Sequence, residues 1–117
     1  MKKQITKLVR QGDVLLLRTD RTGDEPAPKD PRGLVLAEGE TSGHYHAVLG
    51  RGAKLMQFRA TGERVLVVGK AGAEVRVIGG GSGGIDRHTP ISLSPGNYEV
   101  RIQRAWTSEN ISRQVQD

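Results

Sequence analysis

The sequence predicts an all-β fold: a small antiparallel barrel or sandwich of seven to nine short strands. Three observations predict it. Val, Leu and Ile gather in short runs, and clusters of Gly, Pro, Asp, Asn and Ser separate those runs. Most of the runs recur at intervals of about eight to twelve residues, the rhythm of a sandwich or small barrel. No segment before residue 105 combines a 3.6-residue period with capping residues. A chain of 117 residues suits one domain. We read that domain as residues 1–106, followed by a polar tail over 107–117.

The elements follow in order. Ile5–Val9 and Val14–Thr19 flank Gly12-Asp13, a turn-forming pair. Asp20–Arg32 then breaks the rhythm with three prolines and seven charged residues. Proline cannot donate to a ladder, so residues 20–32 are expected to form a surface loop. Gly33–Glu38, His44–Leu49, Lys54–Arg59, Arg64–Val68 and Glu74–Ile78 read as successive strands. The glycine-bearing stretches Leu49–Gly52 and Gly69–Gly72 read as hairpin turns, because glycine accepts positive φ. Gly79–Gly84, GGGSGG, reads as a flexible tether. It lacks the Lys-Ser/Thr pair of a phosphate-binding loop. Ile91–Leu93 and Asn97–Trp106 close the series.

Composition narrows the function classes. There are 28 Val, Ile, Leu and Phe residues among 117, enough for an aliphatic core. The absence of cysteine excludes disulfide scaffolds, thiolate metal sites and thiol catalysis. No apolar run approaches the roughly 20 residues of a transmembrane helix. The basic start MKKQITKLVR has no apolar stretch behind it, so it does not read as a signal peptide. The chain is therefore expected to be cytoplasmic, with no membrane partner. Its net charge of +5 comes chiefly from Lys2, Lys3, Lys7 and Arg10, which precede the first acid, Asp13. Such an arm can bind phosphate backbones non-specifically. The four aromatic residues are too scattered to make a base-stacking surface.

The chemistry concentrates in three histidines: His44, His46 and His88. On a strand, residues two apart share a face, so His44 and His46 present both imidazoles to one side. His88 precedes the run Thr89-Pro90-Ile91, so the fold can bring it toward the pair. Three imidazole nitrogens would hold a divalent metal (Zn, Fe, Mn or Ni) and leave a coordination position for water or substrate. Glu38, Glu40 or Asp86 would complete the ligand set, Glu40 first among them, or orient a histidine from outside the metal's own shell. A bound water would then support hydrolysis, or a redox metal oxidation. The same histidine pair also occurs on strand faces that only hydrogen-bond or meet solvent.

Gly39 to His46, GETSGHYH, resembles the first motif of the cupins, in which a glycine precedes an H-x-H pair. Ile91 to Val100, ISLSPGNYEV, is similar to the second cupin motif, two strands about a Pro-Gly turn. The resemblance implies a small double-stranded barrel with His44 and His46 as ligands. The chain departs from it where Ala47–Gly50 replaces the expected glutamate and Tyr98 falls near the last histidine. A fuller match is to small uncharacterised bacterial β-proteins with the pattern G-E-x-x-G-H-x-H, then H-x-P-I-x-L-x-x-G-x-Y-x-V, then Q-R and an aromatic. Here these are Gly39 to His46, His88 to Val100 and Gln103 to Trp106. That resemblance implies that the three histidines travel with the fold, and it implies no named activity.

In the last run Tyr98, Val100, Ile102, Arg104 and Trp106 share one face. An arginine in an apolar stripe is costly unless it is paired or reaches the rim. Tyr98 and Arg104 are the candidate catalytic residues, Tyr98 as proton donor or ligand and Arg104 as an anion or substrate clamp. No nucleophile elbow on a strand-to-helix turn is read, and no phosphoryl-transfer loop is present. The sequence therefore supports a metal-binding β-protein, a metal-dependent hydrolase or oxygenase in its enzymatic form. The alternative is an accessory module that binds a protein or nucleic acid through the basic arm. A small-molecule or protein partner is open, as is a homo-oligomer paired through strand edges.

Overall fold

A computed structural model of the chain describes residues 8–39, 43–79 and 90–103. They form ten strands: β1 (Leu8–Gln11), β2 (Val14–Thr19), β3 (Glu25–Pro26), β4 (Leu34–Glu38), β5 (His44–Leu49), β6 (Lys54–Gln57), β7 (Arg64–Val68), β8 (Ala73–Gly79), β9 (Ile91–Leu93) and β10 (Gly96–Ile102). Every pairing is antiparallel. One sheet has the order β1-β2-β10-β7-β6-β3, and the other β4-β5-β8-β9. Among the described residues neither sheet closes on itself, so their architecture is a sandwich and not the barrel that the sequence left open. No helix among the described residues is long and apolar enough to cross a membrane.

The core lies between the sheets. Val14, Leu16, Leu66 and Tyr98 enter it from the six-stranded sheet, and Leu36, Val48, Val75 and Leu93 from the other. The nine apolar runs each supply one strand. The tenth strand, β3, falls in the proline-rich segment expected to be a loop. It lies on the sheet edge, where Pro26 can pair with Met56 without occupying an interior strand. The amides on either side of the Glu25–Pro26 step do the donating: Asp24 N to Gln57 O at 2.8 Å and Ala27 N to Leu55 O at 2.9 Å.

The two glycine-bearing stretches expected to be hairpin turns are instead crossings between sheets. β5 passes into β6, and β7 into β8, by changing layer. The step from β9 to β10 through Ser94-Pro95 also changes layer. The crossings lie side by side. A Cβ at Gly50 would stand 3.1 Å from the Gly72 carbonyl oxygen, and one at Gly69 would stand 3.2 Å from that of Gly52. The glycines are needed because one corner's backbone rests on another's.

Two polar devices join elements across the fold. β4 carries a bulge between Val35 and Ala37. The bulge turns Leu36 out of the ladder, and Arg64 Nη2 donates to its carbonyl at 2.6 Å. Arg64 is half-buried, and burial pushes its pKa down. Arg32 closes the proline-rich segment. It donates to both Asp30 oxygens, at 3.0 Å each, and to Glu38 Oε2 at 2.6 Å. Its guanidinium also lies 4.5 Å from the centre of the Tyr45 ring.

The hydrogen bonds from Arg32 hold the Asp30 carboxyl at a pKa of about 2, against its ordinary 3.8. A depressed carboxylate pKa contributes stability above pH 3.8 that is lost as pH falls toward 2. Melting temperature is therefore expected to drop across that window. Asp30→Asn, melted in parallel, should show a shallower drop. Equal slopes would mean that the Arg32 bracket is not formed.

Candidate functional site

β5 begins at His44, and its alternation sends His44, His46 and Val48 toward the same side. Val48 is a core residue, so this is the inward side. His46 is 3 % exposed and His44 is half-buried. Across the ladder His46 pairs with Ala37 on β4 and Val77 on β8.

Gln11 meets His46 from the opposite sheet. It ends β1 opposite Val14, on the inward face, and is 4 % exposed. Its amide nitrogen donates to the Val75 carbonyl oxygen at 3.0 Å, and its Oε1 lies 2.9 Å from His46 Nδ1. These contacts fix a tautomer. A backbone carbonyl only accepts, so Gln11 must turn its NH₂ toward Val75 and its oxygen toward the ring. That oxygen also only accepts, so His46 Nδ1 carries the proton. In the neutral ring Nε2 then holds the lone pair. Metal-ligating histidines likewise hand their far N–H to an oxygen acceptor, most often a carboxylate, a backbone carbonyl or water.

The backbone around His44 is crowded by glycine. Gly39 donates its amide to the His44 carbonyl oxygen at 2.7 Å, and a Cβ on Gly39 would stand 2.9 Å from His44 Cβ. On the other side Gly79 pairs with His44, has φ +98°, and a Cβ there would overlap the Gly43 carbonyl oxygen. Gly39, from the G-E-x-x-G-H-x-H pattern, and Gly79 thus let the backbone on either side close on His44.

The sequence-predicted site residues fall into three groups. His44 and His46 share one inward face. Glu40, His88 and Arg104 lie outside the described residues, as do 80–84 of the glycine run and the tail 107–117. Glu40 follows Gly39, and the segment 80–89 that holds His88 follows Gly79. Both anchor glycines pack against His44. Tyr98 sits elsewhere, two residues into β10 from the Ser94–Pro95 crossing, whereas His44 is at the end of β5 remote from the crossings. Tyr98 is fully buried. Its hydroxyl donates to Ser94 O at 2.8 Å and accepts from Arg18 Nη1 at 3.1 Å. Arg18 Nη2 also donates to Pro95 O at 2.8 Å, so the pair pins a crossing. Among the described residues, no group of three His, Cys, Asp or Glu side chains is placed to hold a metal.

Gln11 escaped the sequence reading. Its signal was a polar residue at an inward position, in register with Val14 beside Val9 and Leu16.

A family model described as a domain of unknown function, DUF8820, matches residues 10–103. The chain belongs to this family. The DUF8820 span includes Gln11, His44, His46 and His88, and it ends at Gln103, whose amide donates to Asp13 O at 2.8 Å. No curated protein matches the chain, and no solved structure does.

Proposed function

We propose that this DUF8820 chain binds a divalent metal ion through His44 and His46, with His88 and Glu40 completing the ligand set. The observation that carries the reading is the hydrogen bond between Gln11 and His46. A buried primary amide, itself held by Val75, fixes one imidazole in the tautomer whose Nε2 lone pair suits a metal. His44 supports it by sharing the inward face, and Gly39 and Gly79 by leading from His44 into the segments that carry Glu40 and His88. Zn, Fe, Mn and Ni all suit such a nitrogen- and oxygen-rich set. With an open position, zinc would favour attack by a metal-activated water, and iron would favour oxidation.

Elemental analysis of protein purified without a His tag tests the reading. The expected result is near-stoichiometric metal that His44→Ala loses. Gln11→Ala should retain the site with an affinity about 10- to 100-fold lower. Both variants are checked for folding by circular dichroism. Metal absent from the parent chain, and not taken up on titration, would end the proposal.

A further inference from the structure

A groove of about 360 Å³ has neither Gln11 nor His46 in its lining. It lies where β3, the edge of one sheet, and β4, the edge of the other, run past each other without pairing. Its floor is apolar: Ala27, Leu34 and Val35, with Leu55 from β6. Ala27 and Leu55 belong to the core cluster, and Leu34 packs against it. The groove is therefore an entrance to the layer between the sheets, and its size is that of a small-molecule site.

Two lysines, Lys29 and Lys54, line the groove, and neither takes part in an ion pair among the described residues. The acid that also lines it, Asp30, is turned to other use. Its Oδ1 accepts from the Arg32 backbone amide at 2.9 Å and from Nε at 3.0 Å, and its Oδ2 accepts from Nη2. Arg32, which Asp30 shares with Glu38, offsets part of the Asp30 charge where an incoming anion would meet it. An apolar floor that leads into a core, with two uncommitted ammonium groups beside it, selects an amphipathic anion. A polar anion alone would gain nothing from the floor. An apolar cation would meet two like charges.

We infer that this groove binds a free aliphatic monocarboxylate, its tail against Leu34, Val35 and Leu55 and its carboxylate between Lys29 and Lys54. The site is independent of the histidines, so it stands or falls apart from metal binding.

Octanoate is the probe, added up to about 5 mM, a range that detects affinities near the millimolar level. Amide chemical shifts of the ¹⁵N-labelled full chain are the readout. The expected result is saturable movement at Ala27, Val35 and Leu55, with octylammonium and acetate each at least tenfold weaker. Lys29→Glu/Lys54→Glu, both at exposed positions, should fold as the parent does and lose octanoate binding at least tenfold. Equal response to octylammonium would reduce the groove to a generic apolar surface and overturn the assignment. Equal response to acetate would reduce it to surface ion pairing, with the same consequence. No movement at these amides, or undiminished affinity in the double variant, would also overturn it.

Discussion

His46→Ala is expected to lower the unfolding free energy by about 3 kcal/mol in protein stripped of metal with EDTA. The imidazole is 3 % exposed and lies between sheets, so its removal leaves a cavity. It also removes the buried hydrogen bond to Gln11 Oε1, and losing one partner of a buried hydrogen bond costs about 1–3 kcal/mol. Gln11→Ala should cost nearly as much, because it leaves His46 Nδ1–H and the Val75 carbonyl without this partner. The two losses overlap, so the double variant should fall well short of their sum. His44→Ala, at a half-buried position, should cost about 1 kcal/mol or less. Urea denaturation of the four proteins reads all of this. A loss under about 0.5 kcal/mol for His46→Ala would mean that the buried link does not join the sheets. The ordering also separates scaffold from ligand. His44→Ala is the variant that removes metal at little cost in stability, and His46→Ala removes both.

The strands were legible because their signal is local. In His44–Leu49, Arg64–Val68 and Ile91–Leu93 the apolar runs end where the strands end, since turn residues bound them on both sides. The pairing of strands was not legible. Leu49–Gly52 and Gly69–Gly72 carry the same glycines that a hairpin would, yet each leads into the other sheet. What decides is whether the next strand finds its partner in its own layer. That depends on residues far along the chain: Lys54 pairs with Val67, and Ala73 with Leu93. The short strand β3 was hidden for a related reason. Pro26 argues against a strand locally, and only the edge of β6 makes the position acceptable.

The site was half legible by the same measure. The period of two placed His44 and His46 on one face, because that geometry belongs to any strand. Gln11 was invisible because its partner is 35 residues away in the other sheet. Tyr98 shows the converse. Placed in sequence beside the candidate chemistry, its hydroxyl holds Ser94 and Arg18 at a crossing. A tyrosine so engaged keeps a corner closed, which is why it is wholly buried while Ile102, on the same face of β10, is 36 % exposed.

Gly79→Ala is expected to cost about 2–3 kcal/mol and to lower metal affinity with it. Two independent penalties add. The residue has φ +98°, a conformation that alanine adopts only with strain. Its Cβ would also meet the Gly43 carbonyl oxygen, which is backbone and has no rotamer to escape into. Gly43→Ala separates the two effects. Gly43 has φ +87° but nothing within 4 Å of an added Cβ, so it bears the conformational strain alone, at about 1 kcal/mol. The excess of Gly79 over Gly43 measures how tightly β8 closes on the start of β5. If that closeness also sets the position of His44, metal affinity should fall in Gly79→Ala by more than in Gly43→Ala. Paired urea melts and metal titrations decide it. Equal stability losses would mean that the strands stand apart at His44. A stability gap with unchanged metal affinity would mean that the packing serves the fold alone.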